Sequence, residues 1–184
     1  MKYAALFRGI NVGGKNTVKM DDLKQLFLKL GMHKIKTYIQ SGNVVFETNL
    51  DKASLQNVIY TGFAECFGFE SNVIIRNLNE IEALIKRIPF SAEEIAAAEA
   101  ADPEVEHLYI YFLEHIPNQT LMDDICKEYV GPDTLRVGKS EIYFLCHQSI
   151  RKSKLAIRTA RIFDSSTVRN WKTVNKLYDM LNSQ

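Results

Sequence analysis

The sequence predicts an α+β protein of two β-α-β-β-α-β halves in tandem, joined by a helical connector and followed by a C-terminal helix. Three patterns support this prediction. Apolar or alternating strand-like segments take turns with amphipathic helical segments, glycine-bearing turns separate neighbouring strands, and one order of elements occurs on both sides of an alanine-rich middle region. A chain of 184 residues with 46% hydrophobic content can bury a sizeable core.

The first half contains clear start and stop signals. Acidic residues open its first helix and Gly31 follows the last turn, as is usual for helix ends. The Ser41-Gly42 pair between two alternating segments predicts a β-hairpin, with Ile39 and Phe46 facing the core. The resulting order is that of a ferredoxin-like unit. We predict strands at 3–7, 35–40, 43–47 and 73–76, and helices at 21–30 and 55–67.

The middle and second half follow a similar logic. Pro89 ends a helix at 78–88, and Ser91 with Glu94 fits a capping box that opens the alanine-rich helix. The predicted domains are a first subdomain at 1–77, a helical connector at 78–104, and a second subdomain with a C-terminal helix at 105–184. The second subdomain contains predicted strands at 108–113, 135–137, 142–146 and 167–169, and helices at 118–129, 155–163 and from Trp171 onward.

The segment Arg8–Asn16 combines cations and glycines directly after the first strand. A right-handed crossover makes the first two strands parallel, so their carboxyl ends lie at one edge of the sheet. We therefore expect this loop beside the hairpin tip Gln40–Asn43. A guanidinium, an ammonium, carboxamides and loop N–H groups suit a phosphate or carboxylate. The candidate ligand-binding residues here are Arg8, Gly9, Asn11, Gly13, Gly14, Lys15, Asn16, Gln40, Ser41 and Asn43.

A plainer interpretation of the same residues stays open. The glycines can simply permit positive φ, while Gln40 and Asn43 satisfy the hairpin backbone. The loop also matches GxxxxGK, but Asn16 stands where a nucleotide-hydrolysing P-loop needs Ser or Thr for magnesium. The elements do not alternate as a doubly wound sheet requires. We do not expect a P-loop NTPase.

Three segments carry a family resemblance: RGINVGGKN at 8–16, TYIQSGNVVFE at 37–47 and TVRNWKTV at 167–174. Together they resemble an uncharacterised, mainly bacterial family called domain of unknown function 1697. Ser153-Lys154-Leu155 is similar to the SKL segment of that family. The resemblance implies an α+β fold with two related subdomains and no assigned activity. Its third segment adds Arg169, Asn170 and Lys172 to the candidate ligand-binding residues.

Two further groups admit a nucleic-acid interpretation. Basic residues before and along the penultimate helix, from Arg151 to Arg161, can form a stripe for phosphates or an ordinary solvated face. Tyr109 and Tyr111 share one strand face, and such aromatics stack bases in RNA-recognition modules. Packing of these rings against the other subdomain or the last helix is the alternative.

Composition limits which partners, metals and cellular locations we expect. A formal net charge of +1 provides no overall field for nucleic acid or membranes. The three cysteines show no CxxC pair and the four histidines no metal-ligand spacing, so we expect no metal and no cofactor. The absence of an N-terminal apolar segment favours a cytoplasmic location.

Three functions remain open on these grounds. The first is a non-catalytic binding protein for a phosphate-bearing or other anionic ligand, with RNA or a nucleotide as candidates. The second is an enzyme acting on a small anionic substrate between the subdomains. The third is a structural or protein-interaction role, with the motifs as fasteners between subdomains. Because no nucleophile stands in a recognisable pairing with a base, we favour binding over catalysis.

Overall fold

The computed structural model describes residues 1–127 and 129–183 and has eight strands and seven helices there, in the predicted order. The strands are β1 Lys2–Phe7, β2 His33–Tyr38, β3 Asn43–Glu47, β4 Val73–Asn77, β5 Leu108–Phe112, β6 Thr134–Val137, β7 Glu141–Leu145 and β8 Thr167–Asn170. The helices are α1 Met20–Lys29, α2 Lys52–Phe67, α3 Leu78–Lys86, α4 Ala92–Ala101, α5 Gln119–Lys127, α6 Lys154–Ile162 and α7 Trp171–Asn182. The predicted fifth helix extended to Tyr129, and Glu128 within it lies outside the described residues.

Two four-stranded sheets with the same strand order organise the fold. The orders are β2-β3-β1-β4 and β6-β7-β5-β8, and every neighbouring pair is antiparallel. The α+β class is confirmed. Since β1 and β2 are both antiparallel to β3, they run parallel to each other and end at the same edge, as the crossover argument requires.

The chain forms two compact units. One contains Met1–Ala83 and the end of the chain from Asn175, and the other is Leu84–Val174. Their boundaries fall within α3 and α7. The domains predicted from the sequence, 1–77, 78–104 and 105–184, have boundaries different from those of the two units. They stay a prediction.

The core of the first unit joins one face of its sheet to α1 and α2. Phe7 packs on Phe63 with ring centroids 4.9 Å apart, and Phe27 lies edge-on to Phe46 at 5.0 Å. Such aromatic pairs add specific geometry to the burial of large apolar surfaces. Ala4 and Leu6, on the opposite face of β1, are also fully buried, which explains why β1 is apolar from Tyr3 to Phe7 rather than alternating.

The tyrosines of β5 belong to the helix-side core of the second unit. Tyr111 packs against Phe144 at 5.6 Å, and its hydroxyl donates to the Ala156 carbonyl in α6 at 3.2 Å. Tyr109 packs against the same cluster. Burial raises the pKa of Tyr111. Because Tyr111 is only 3% exposed, it is a core residue and not a platform for stacking bases. It packs on α6 of its own unit, whereas the sequence analysis considered base stacking or packing against the other subdomain or the last helix.

Local signals at helix ends behave as the sequence indicates. Ser91 accepts from the Glu94 N–H and the Glu94 carboxylate accepts from the Ser91 N–H, which completes the predicted capping box of α4. Gly31 after α1 has φ of 78°, in the left-handed region that favours glycine. Within the described ranges, none of the helices has the length and hydrophobicity needed to cross a bilayer.

Candidate functional site

The connection from β1 to α1 folds as a miniature hairpin. The Lys15 N–H donates to the Val12 carbonyl at 3.1 Å, and the Asn11 N–H donates to the Asn16 carbonyl at 3.0 Å. Gly13 and Gly14 between them have φ of 61° and 74°, the left-handed pair that a tight two-residue hairpin turn requires. In P-loops the glycine-rich segment instead leads straight into a helix. Here three residues separate Asn16 from α1, so the miniature hairpin differs from a P-loop.

Asn11 fastens this miniature hairpin to the rest of the unit. Its Nδ2 donates to the carbonyls of Val18 and Gln40, and its Oδ1 accepts from the Val18 N–H, each at 2.8 Å. The bond to Gln40 joins two segments that are 29 residues apart. The predicted juxtaposition of the loop and the hairpin tip is therefore present, and the Asn11 carboxamide is used to hold it.

The hairpin tip is locked in a similar way. Asn43 is fully buried, and its Nδ2 donates to the Tyr38 carbonyl at 3.1 Å and the Ser41 hydroxyl at 2.9 Å. The Phe7 N–H donates to the Gly42 carbonyl at 2.9 Å. A Cβ on Gly42 would lie 2.5 Å from Ile10 Cδ1, so glycine is required by space as well as by its φ of 73°.

The expectation that Ile39 faces the core is wrong. Ile39 is 50% exposed and has φ of 47°, which is rare for a β-branched residue. The strand β2 ends at Tyr38, two residues earlier than the alternating pattern indicated, so Ile39 belongs to the turn. Phe46 does lie in the core, with 0% exposure.

Arg8 is held at the end of β1 by its backbone. Its N–H donates to the Asn72 carbonyl at 2.9 Å, and its carbonyl accepts from the Ser71 hydroxyl at 2.8 Å. The Arg8 side chain is only partly exposed. Its Nη1 is shielded from solvent and has no hydrogen-bond partner among residues 1–127 and 129–183. A shielded guanidinium nitrogen without an acceptor is costly, by about 1–3 kcal/mol or more for a charged group.

The other polar groups of the loop and tip lie at the surface. Lys15, Asn16 and Gln40 are exposed, as are the glycines at 9, 13 and 14. The Asn16 Nδ2 makes one long bond, 3.3 Å, to the Gly9 carbonyl. We call the residues 8–16 and 40–43 together the end-surface. Its open chemistry consists of Arg8, Lys15 and exposed turn amides, while Asn11 and Asn43 build the frame.

The candidates from the third sequence segment lie in the second unit, where Arg169 and Asn170 make structural hydrogen bonds. Arg169 is 8% exposed; its Nη1 donates to the Val168 carbonyl at 2.8 Å and to the Thr167 hydroxyl at 3.2 Å, and burial lowers its pKa to about 10. Asn170 Oδ1 accepts from the Thr173 N–H and so begins α7. Lys172 is exposed and lines a cavity next to Trp171.

The same junction occurs in the first unit, where the sequence interpretation did not single it out. Arg76 at the end of β4 is 5% exposed and donates to the Ile75 carbonyl at 3.0 Å. Asn77 Oδ1 accepts from the Glu80 N–H at 2.9 Å and begins α3. The Arg-Asn pair before a helix is the sequence signal that identifies both junctions.

A buried carboxylate in the second unit was also missed. Asp133, 3% exposed, accepts from the His147 N–H at 2.8 Å and from Gln148 Nε2 at 3.3 Å. Burial raises the pKa of Asp133, but these bonds and one from Ser153 outweigh it and lower the pKa overall. Ser153 of the SKL segment is the N-cap of α6. No sequence motif surrounds Asp133, so only its contact with His147, which is distant along the chain, identifies it.

Comparisons with known proteins support the fold but do not assign an activity. The solved structure of a conserved bacterial protein, SP0830 from Streptococcus pneumoniae, is similar over 98% of both chains, with a TM-score of 0.73 and 27% sequence identity. No curated protein matches the chain. A family model described as "Protein of unknown function (DUF1697)" matches residues 1–143, which contain the first two sequence segments but not the third. The chain belongs to this family of unknown function.

Proposed function

We propose that the protein is a non-catalytic binding protein whose end-surface holds a phosphate or carboxylate group of its ligand. The observation that carries this proposal is the shielded Arg8 Nη1, which has no acceptor among the described residues. An anion at the partly exposed guanidinium would complete its bonding, and charge-assisted bonds of this kind are the strong ones. RNA and nucleotides are the candidate carriers of the phosphate.

The remainder of the end-surface supports the same ligand class. Lys15 adds a second, exposed cation. The N–H groups of Gly13 and Gly14 donate to no atom of the described part of the chain, and turn amides with positive φ form anion-binding concavities in other proteins. Residues 8–16 and 40–43 include no Asp, Glu or His. Without such a group the end-surface lacks a general base, which favours binding over catalysis.

A structural role is a second candidate for part of the same motifs. Asn11 and Asn43 direct their carboxamides to backbone atoms and to Ser41 of their own unit. We propose that they are fasteners within the first unit, in addition to a ligand-binding role of Arg8 and Lys15. We further propose that each half has the ferredoxin-like topology, which the orders β2-β3-β1-β4 and β6-β7-β5-β8 support. We also propose a cytoplasmic location, which the sparse cysteines without a CxxC pair support.

Binding measurements on matched variants test the proposal. We would titrate inorganic phosphate, AMP and a single-stranded RNA oligomer by calorimetry into the wild type, Arg8→Gln, Lys15→Ala and the control Lys24→Ala. Lys24 is an exposed cation of α1 outside the end-surface. We expect Arg8→Gln to weaken binding roughly tenfold or more, Lys15→Ala roughly two- to fivefold, and Lys24→Ala not at all.

The salt dependence then separates the ligand sources. Affinity for RNA should fall steeply between low and moderate salt, whereas AMP, which contacts fewer cations, should show a shallow dependence. Failure of the wild type to bind all three probes would refute the proposal. Equal binding by Arg8→Gln and Lys24→Ala would refute the assigned site.

A further inference from the structure

A separate cavity of about 650 Å³ lies within the second unit. Its walls come from α4, from the segment that leads into β5, and from the first turn of α7. This volume is in the range of small-molecule sites, which are mostly apolar with a few polar groups. None of the end-surface residues lines it, so a ligand here would be independent of the proposed anion site.

The apolar part of the cavity includes the chain's single tryptophan. Trp171, Ile95 and Val105 line the cavity and are each partly exposed, and Leu108 lines it as a buried residue. Trp171 is the first residue of α7, and it lies in the wall of an open cavity, where a tryptophan ring can contact a ligand.

The charged part of the lining is mainly acidic. Glu99 and Glu106 are exposed, and neither makes a hydrogen bond or ion pair with any residue in 1–127 or 129–183. His107 is not available to a ligand, because its Nδ1 and Nε2 lie 2.6 Å and 2.9 Å from the carbonyls of Cys146 and Asp102. Lys172, also without a partner in the described ranges, contributes one positive charge to the lining.

We propose that this cavity binds a small organic ammonium compound. A tryptophan ring attracts cations through its negative face, and the attraction is strongest for tryptophan among the aromatic side chains. Two carboxylates without partners add to that attraction and disfavour an anion, which would meet two like charges and one opposite charge. The aliphatic side chains of Ile95 and Val105 suit the alkyl groups that such a cation carries.

Trp171 provides a direct measurement, since no other residue contributes tryptophan fluorescence. We would titrate choline and its neutral isostere 3,3-dimethylbutan-1-ol into the full-length protein while following tryptophan emission. Choline should change the emission saturably and bind at least roughly threefold more tightly than the isostere. Glu99→Gln and Glu106→Gln should each weaken choline binding roughly two- to fivefold.

Two control variants make the test specific. Glu104→Gln removes an exposed carboxylate of the same acidic segment that does not line the cavity, so it should leave choline binding unchanged. Lys172→Ala removes the cation of the lining and should strengthen it. The proposal is overturned if choline produces no saturable response, if the isostere binds equally well, or if the Glu99 and Glu106 variants match Glu104→Gln. None of these results depends on whether phosphate binds at Arg8.

Discussion

Replacing Asn11 by glycine separates the structural part of the end-surface from its ligand chemistry. Asn11 has φ of 55°, a conformation that glycine adopts without steric cost. Asn11→Gly therefore keeps the backbone path of the miniature hairpin and removes only the carboxamide. Any loss of stability then measures the bonds of that side chain.

The structure indicates the size of the effect. Three hydrogen bonds of 2.8 Å disappear, two from Nδ2 to the carbonyls of Val18 and Gln40 and one from the Val18 N–H to Oδ1. Val18 is 2% exposed, so water replaces its lost partners poorly, whereas Gln40 is exposed and its carbonyl can bind water. With about 1–3 kcal/mol for a buried unsatisfied group and about 0.5–1.5 kcal/mol for each ordinary bond, we expect a loss of about 2–4 kcal/mol.

Urea unfolding followed by circular dichroism gives the free energy of unfolding of each variant. Asn16→Gly is the matched control, because Asn16 also has positive φ, 51°, but its side chain makes only one exposed bond, of 3.3 Å. It should lose less than about 1 kcal/mol. If Asn11→Gly is no less stable than Asn16→Gly, Asn11 is not a fastener, and the interpretation of the end-surface as frame plus open cations is refuted.

Three other changes test separate parts of the fold. Gly42→Ala should reduce the free energy of unfolding by about 2–5 kcal/mol, since its Cβ would overlap Ile10 and Phe7 at a φ of 73°. Ser91→Ala removes the N-cap of α4 and should cost about 1 kcal/mol in the same measurement. The lowered pKa of Asp133 stabilises the folded state above pH 3.8, its ordinary value, and this contribution is lost as the pH falls through the folded-state pKa. Asp133→Asn should therefore flatten the fall in stability with pH on the acid side of about pH 4.

Controls and contrary results are available for each. Gly31 has φ of 78°, but a Cβ added there would have nothing within 4 Å. Gly31→Ala should therefore lose only the cost of a left-handed backbone, about 1–2 kcal/mol. An equal loss for Gly42→Ala would show that overlap with Ile10 and Phe7 does not add to that cost. Unchanged stability of Ser91→Ala would mean that Glu94 begins α4 without the cap. A wild type and Asp133→Asn with parallel acid curves would show that the Asp133 carboxylate is not stabilised by folding.

The sequence predicted elements well where the signal is local. The capping box at Ser91 and the hairpin strand Asn43–Glu47 depend on neighbours a few residues apart, and both have the predicted form. Ile39 shows the limit of such patterns. Alternation continued through it, but the chain enters its turn at this residue, and the bonds that enforce the turn come from Asn11 and Asn43.

The details of the site depend on contacts that no spacing reveals. The Ser71 hydroxyl that holds Arg8 is 63 residues away along the chain, so nothing in its neighbourhood marks it. The cavity at Trp171 is assembled from α4, the segment before β5 and α7. The Arg-Asn pair at 76–77 and at 169–170 is a short sequence repeat that the sequence interpretation did not single out, because two residues are too few to stand out without the matching register against β1 and β5.

That register also indicates which connection of the first unit is longer than the strand order requires. Arg76 pairs with Ala4 on β1 and Arg169 pairs with Ile110 on β5, so Arg8 corresponds to Glu114. The connection from β1 to α1 has twelve residues, 8–19, whereas the connection from β5 to α5 has six, 113–118. A sheet of the same strand order therefore forms with half the loop and with the opposite charge at its start. The strand order does not need the extra length, and closing a longer loop costs only a little more entropy. Ile10 packs in the core of the first unit, so core packing accounts for that position, and the proposed ligand role concerns the cations Arg8 and Lys15 at the surface of the segment.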